Sequence, residues 1–507
     1  MRYSRSPYNK EFDTYPLLIY TRMRKQFLLM LVLCLTASLT WAERIDVATA
    51  RKVAGSVAQR EGVTSGLRSA SDLSLVYAAA PGQSGSALRS GTMEGSADYF
   101  VFNFPGEKGF AIVAGDDRVR PVLGYSDKGS FDPDKLPENL RGMLAYYQDQ
   151  ITWANDKGIE ATPDIAAEWN QLMSGTALRA AGEKVLLETA NWSQGEPYNR
   201  QTPTIKGKHT VTGCVATAMG IIMKYHEYPI RAVNPPEYNY YSIDGYYSGH
   251  KLSYGDYDWG NMLSSYKGGG YNDAQADAVA ELLYHCGANV EMNYSVSASG
   301  TQTSRVALAL SEVFGYSPSI RYLQKEAYRW DEWKDMLRKE LDLGYPMIYD
   351  GQSSSGGHAF VCDGYSEDGT FHINWGWDGY SNGYFVLSTL DAEGDGNGYS
   401  DGQAVLLEIR PEQSGEEYFI RPYLIRANYS KSGNNASVSF DMKYYALKDH
   451  VFYLELGVIG QDGAIVQKPT DPLARNFQAY VGGWREYTGY SATMTLSSDL
   501  SDGQRIA

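Results

Sequence analysis

Residues 212–225 read Thr212-Gly-Cys-Val-Ala-Thr-Ala-Met-Gly-Ile-Ile-Met-Lys-Tyr225. Val215, Ala218, Met219 and Ile222 recur at helical spacing, so the segment predicts an amphipathic helix with Cys214 in its first turn and Thr212 as its N-cap. A thiol there sits at the positive end of the helix dipole. That favours the thiolate, the form that attacks carbonyl carbon, and a neighbouring imidazolium favours it further. Buried structural cysteine is the commoner role for such a residue. The segment alone therefore leaves two readings open, and the rest of the chain has to separate them.

A cysteine nucleophile needs a base. Of seven histidines, His358 stands best, because Gly356-Gly-His-Ala-Phe-Val-Cys-Asp-Gly-Tyr365 places it at the start of an apolar strand where glycines allow close approach. His209 lies in a polar stretch, and His226 falls about 120° around the helix from Cys214. His285 reads as part of a surface helix, and His250 and His450 as exposed. His372, two residues from Asn374, is the one serious rival. The stretch Phe371-His-Ile-Asn-Trp-Gly-Trp-Asp-Gly-Tyr380 offers Asn374 to accept the imidazole N–H and Trp375 to shield that bond from water. Gln194, twenty residues before Cys214, supplies an amide that could join the Cys214 N–H in holding an oxyanion. His358 follows Cys214 by 144 residues and Asn374 follows by 160. The order is that of papain-like enzymes, and the separations are close to the spacing of about 130–150 residues found in them. The C-G-[SA]-C-[WY] signature of papain itself is absent, so a different papain-like family is required.

The chain has 507 residues, enough for more than one domain, and a net charge of −15 that argues against nucleic-acid or anionic-membrane partners. Four cysteines without a CxxC pair exclude a disulfide framework or a cysteine zinc site. The glycine-rich run 391–398 lacks the EF-hand glutamate, Gly402 standing at its twelfth position, so no metal or cofactor is called for. Cys286 and Cys362 read as core fillers. Basic residues Arg22, Arg24 and Lys25, the apolar run Phe27–Ala37 and the small Ala42 predict an export signal over 1–42, with Met23 as an alternative start. Residues 43–180 read as a small α+β unit, with a hairpin over 99–113 and a helix over 136–151. A small-residue stretch with Arg179 and Lys184 follows as an exposed, cleavable linker. Residues 181–412 run from helices, two of them closed by Gly287 and Gly315, to strands near 346–349, 359–363, 371–375 and 384–387. A tyrosine- and glycine-rich surface excursion over 237–271 interrupts them. Residues 413–507 alternate as a β-sandwich-like module.

Five segments in order, Trp192-Ser-Gln-Gly-Glu-Pro-Tyr-Asn199, Thr212–Met219, Lys224-Tyr-His226, Gly356–Phe360 and His372–Trp377, resemble the streptopain family of secreted bacterial cysteine peptidases. The run Tyr99–Asn103 with Gly109–Arg118 and Pro121–Tyr125 is similar to that family's inhibitory propeptide. The resemblance implies an α+β fold, a papain-like peptidase domain behind an α+β propeptide; the C-terminal module and the thiols Cys286 and Cys362 depart from the family's pattern. It implies an endopeptidase acting on protein or peptide substrates, inhibited in cis by its own propeptide, with Cys214 and His358 as the catalytic pair. Gln194, Asn374 and Trp375 take the auxiliary roles. Residues 292–301 are suspected of lining the cleft. The competing expectation is a binding protein on an inactive scaffold; a cysteine hydrolase of cell-wall peptides or amides is a third.

Overall fold

The structure is a computed structural model that describes residues 44–63, 69–80, 97–174, 184–325, 328–353, 356–390 and 402–414, with parts of 423–506. The export signal with Cys34, most of the cleavable linker, the glycine-rich run at 391–398 and His450 lie outside the described residues.

Helix α1 (Val47–Arg60) starts where the Asp46 carboxylate accepts the Thr49 N–H at 2.7 Å, a side-chain cap that satisfies one of the unpaired donors of the first turn. Helix α2 (Glu138–Lys157) ends at Gly158 in the left-handed region, and α3 (Pro163–Met173) opens on Thr162 with proline at its first position. Helix α4 (Cys214–His226) carries the cysteine. Helix α5 (Asp273–Asn289) opens with an Asn272–Gln275 capping box, and α6 (Trp330–Asp342) completes the larger helices.

Eleven strands form one sheet: β1 (Ser74–Ala78), β2 (Tyr99–Asn103), β3 (Phe110–Ala114), β4 (Val122–Ser126), β5 (Lys184–Leu186), β6 (Arg321–Gln324), β7 (Met347–Ser353), β8 (Gly356–Ser366), β9 (Phe371–Asn374), β10 (Gly383–Phe385) and β11 (Ala404–Leu407). Their order is β1-β2-β3-β4-β10-β9-β8-β7-β11-β6, with β5 paired to β8. The sheet therefore crosses from the N-terminal unit into the main domain where Tyr125 faces Tyr384 and Gly124 faces Phe385 in antiparallel register.

Strand alternation sorts the central side chains between two cores. Ile348, Ala359, Val361 and Leu406 face α4 and α5; Tyr349, Phe360, Cys362 and Leu407 share a core with α6 and the N-terminal unit. In that second core, Val53 of α1, Phe100, Ile112 and Leu140 of α2 pack in one cluster with Phe360, Trp375 and Phe385. Each such buried apolar side chain contributes about 1.5–3 kcal/mol, so the N-terminal unit is held largely by apolar burial.

The hairpin, the 136–151 helix and the four late strands form near their expected positions, and Gly315 has φ 71° after its helix. Gly287, expected as a C-cap, lies inside α5, where an added Cβ would meet the Tyr294 hydroxyl at 2.2 Å. Residues 239–250 form a hairpin that pairs with Asn293–Tyr294. The described C-terminal residues form three small sheets, the largest joining Tyr423–Ser432, Asn435–Ala446 and Gly483–Thr495.

Candidate active site

Cys214 is the first residue of α4, but its cap is Gly213 rather than Thr212. Gly213 has φ 87°, and a Cβ there would meet Met292 at 2.8 Å and the Ser299 carbonyl at 3.0 Å. Only glycine combines that conformation with so close an approach. Thr212 instead bonds the Thr217 hydroxyl at 2.8 Å, and Thr217 donates to the Gly213 carbonyl at 3.0 Å, bracing the turn before the thiol. Burial pushes the Cys214 thiol up; the N–H groups of Ala359, Val215 and Cys214 itself oppose this, and the charge of Asp350 adds to it.

The thiol opens into a cavity of about 750 Å³ whose lining includes Gln194, Cys214, His358, Ala359, Asp350 and Trp377. Residues 297–304 form one wall, so the suspected 292–301 segment reaches the cleft through its second half. The Gln194 amide has no hydrogen-bond partner among the described residues. Its loop is pinned by the Thr212 N–H on the Gln194 carbonyl (3.1 Å) and the Asp378 N–H on the Trp192 carbonyl (3.0 Å). An uncommitted amide on a fixed loop is the kind of donor an oxyanion requires. Tyr322 donates to Asp350 at 2.8 Å on the opposite wall.

His358 lines this cleft and also a cavity of about 20 Å³ against α2, with Asn139, Gly142 and Met143. Burial lowers its pKa, and the charge of Glu138 on α2 raises it. No hydrogen bond joins it to Cys214 or to Asn374 among the described residues. Asn139 of α2 is buried between the two strands, donating to the Ala359 carbonyl at 2.7 Å and the Trp375 carbonyl at 3.1 Å. Glu138 and Asn139 thus line the cleft from the N-terminal unit. The pair expected to react shares a cavity without being engaged.

Asn374 is buried and bonded to Thr189 and Ala190. Trp375 lies in the core, its ring against Phe360 and Phe385 and its Nε1 donating to the Ser381 carbonyl at 2.9 Å. It is Trp377 that reaches the cleft, with Nε1 buried and without a hydrogen-bond partner among the described residues. Gly376, at φ 70°, turns the chain between the two rings. The reading from sequence missed Trp377 and Asp350; the first stands in the quoted motif, the second carried no local signal.

The other described histidines are each held by a hydrogen bond, an ion pair or a ring contact away from Cys214. His226 bonds the Ile409 carbonyl and His209 the Thr202 carbonyl; His250 stacks on Tyr241. His285, expected on a surface, is buried beside the Tyr257 hydroxyl. His372 pairs with Asp363 at 2.5 Å. Cys286 and Cys362 are buried free thiols, as expected of core fillers.

A thiol at a helix N-terminus, a histidine and a free amide in one cleft, capped by a covalently attached N-terminal unit, define a cysteine peptidase with an inhibitory propeptide. The chain belongs to the peptidase C10 family: residues 192–385 match that family, and residues 42–151 match the Spi protease inhibitor. It is 35% identical over 344 residues to streptopain of Streptococcus pyogenes, spanning 65% of this chain and 81% of that one. It is 39% identical over 299 residues to the thiol protease/hemagglutinin PrtT of Porphyromonas gingivalis, spanning 58% of this chain and 34% of PrtT, so it covers about a third of that relative. The prointerpain A fragment of Prevotella intermedia superposes with a TM-score of 0.52 at 27% identity, over 67% of this chain and all of that one.

Proposed function

We propose that the chain is a secreted zymogen of a cysteine endopeptidase that cleaves proteins, with Cys214 as nucleophile and His358 as general base. The observation that carries this reading is the common cleft of Cys214, His358 and Gln194, lined from the propeptide side by Glu138 and Asn139. In the freed enzyme, His358 takes the Cys214 proton and the thiolate attacks the scissile carbonyl. The oxyanion is held by the Gln194 amide and the Cys214 N–H. His358 then protonates the leaving amine, and water releases the acyl group. By strand alternation Asn374, bonded to Thr189 and Ala190, points away from the sheet face that carries His358 and Phe360, so it does not take the expected role of accepting the His358 N–H here. Trp375, packed on Phe360, stands on the His358 face. The propeptide spans 43–180, the peptidase domain 181–412 and the C-terminal module 413–507, and removal of the propeptide by a cut near Arg179–Lys184 opens the cleft.

The test is to incubate reduced precursor, residues 43–507, beside Cys214→Ala, following self-shortening and digestion of an unfolded protein. Shortening near residue 180 and digestion only by the unmutated chain are expected. If neither chain cleaves anything after another protease has removed the propeptide, the peptidase reading fails and the binding-protein reading replaces it.

A further inference from the structure

Asp350 lines the cleft and takes no part in the proposed mechanism. Strand register places it in a row that crosses four strands on the sheet face toward α4. Gln324 of β6 stands opposite Ala404 of β11, Ala404 opposite Asp350 of β7, and Asp350 opposite Ala359 of β8. Directly opposed residues of an antiparallel pair hold their Cβ atoms about 4.5–5.5 Å apart. The Ala359 N–H in turn faces the Cys214 thiol. The carboxylate is therefore one small side chain away from the nucleophile, and an alanine on each side leaves it room. Tyr322, two residues before Gln324, reaches across β11 and donates its hydroxyl to Asp350 Oδ2 at 2.8 Å, which holds the carboxylate against that wall.

We infer that Asp350 is a specificity-determining residue of the cleft, selecting substrates that carry lysine or arginine on the acyl side, one or two residues before the scissile bond. This selection rests on the peptidase reading proposed above. Among the described residues the cavity lining holds two acidic side chains, Glu138 and Asp350, and neither lysine nor arginine. Glu138 leaves with the propeptide, so the opened cleft keeps Asp350 as its acidic group. A carboxylate offers about four lone-pair sites, of which the Tyr322 hydroxyl takes one. An ammonium or guanidinium brings N–H donors to the others, in charge-assisted bonds about twice as strong as neutral ones. A glutamate or aspartate in the same place would set like charges together, which excludes as effectively as the cation attracts. The side of the bond follows from His358. It precedes Ala359 and so projects from the other side of β8, where it must meet the leaving amine. Substrate residues lying over Ala359 and Asp350 then belong to the acyl half. The charge of Asp350 also disfavours the Cys214 thiolate, and a substrate cation would offset that effect at the moment of binding. Within the proposed cut window, Arg179 has the required chemistry.

The experiment measures kcat/KM of the processed enzyme and Kd of processed Cys214→Ala, each with and without Asp350→Asn. The peptides carry lysine, norleucine or glutamate at the first or second residue before the scissile bond and are otherwise identical; norleucine keeps the lysine stem and drops its charge. Lysine is expected to exceed norleucine about 10- to 100-fold in both readouts at one of the two positions, with glutamate below norleucine. The preference should shrink as salt is raised. Asp350→Asn keeps the shape and an acceptor for Tyr322, and should bring the lysine-to-norleucine ratio close to unity; Asp350→Lys should put glutamate ahead. No preference for lysine at either position in the wild type would overturn the inference, as would a preference that persists in Asp350→Asn. If the Kd ratios behave as expected and no peptide is hydrolysed, selection by Asp350 stands and the peptidase reading falls.

Discussion

Asn139→Ala tests the propeptide block where it is most polar. Asn139 donates to two buried carbonyls, of Ala359 and Trp375, at 2.7 and 3.1 Å. The Ala359 bond lies on the strand that carries His358, and the Trp375 bond on the residue after Asn374. Removing the amide leaves both interactions unmade in a site too closed for water to replace them freely, at a cost of about 1–3 kcal/mol. The same cost disfavours the docked state relative to the undocked one, so the undocked fraction rises about 5- to 150-fold. Asn139→Asp should go further, because a carboxylate has nothing to donate and sets its charge against two carbonyl oxygens. The assay is the rate at which reduced, purified precursor shortens itself, measured at several precursor concentrations to separate the intramolecular reaction from the intermolecular one. The expected order is Asn139→Asp fastest, then Asn139→Ala, then wild type. Unchanged self-conversion in folded Asn139→Asp would refute the block, since it would mean that undocking at this point does not limit access to Cys214.

Gly213→Ala should lower the precursor melting temperature by about 2–6 °C and reduce kcat/KM, because a left-handed backbone costs a non-glycine residue about 1–2 kcal/mol and its Cβ would press on Met292; thermal scans and initial rates check this. Two buried groups should tilt stability in opposite directions with pH. Burial pushes His285 down to about 4, so the unfolded chain binds a proton first and stability falls by about 3 kcal/mol as pH drops from about 6.5 to 4. Burial pushes Glu340 up to about 7, so the unfolded chain loses its proton first and stability falls by a similar amount as pH rises from about 4.5 to 7. Denaturant titrations across this range should show a shallow profile for wild type, a loss toward neutral pH for His285→Asn, and a loss toward acid for Glu340→Gln.

The parts of the site that were legible in the sequence are those whose chemistry is local. Cys214 stands on a periodic helix, His358 follows paired glycines, and their order along the chain carries the rest. What could not be read is pairing and direction. Tyr125 meets Tyr384 across 259 residues, and alternation within either strand contains nothing that names the other. Trp375 and Trp377 are equivalent in composition; the turn at Gly376 sends one into the core and the other into the cleft. Thr212 and Gly213 are about equal as caps by propensity, and the close approach of Met292 and Ser299, which only glycine admits, decides for Gly213. His285 reads from its helix as a surface residue, but Tyr254 and Tyr257, which lie outside that helix, pack on its ring and bury it.

The continuity of the sheet bears on how the propeptide leaves. Only two residue pairs join β4 to β10, but charge reinforces that seam. Arg60 meets Asp368 at 2.8 Å, and Lys184, the first residue of β5, meets Glu61 at 2.5 Å while lying over the rings of Tyr125 and Tyr384. Burial alone would push Asp368 up, but Arg60, Thr370 and Arg120 together hold it below its ordinary value. A carboxylate depressed in the docked state contributes its stabilisation above its ordinary pKa, near 3.9, and loses it only as pH falls through and below that value. Mild acid therefore leaves this pair intact, and with apolar burial holding the rest of the interface, a change of pH between neutral and about 5 gives little force for release. Cutting the linker acts differently. It converts an attached inhibitor, present at high effective concentration, into a separate one that dilution and further proteolysis can remove. In this structure, covalent attachment rather than protonation is the variable that controls the cleft.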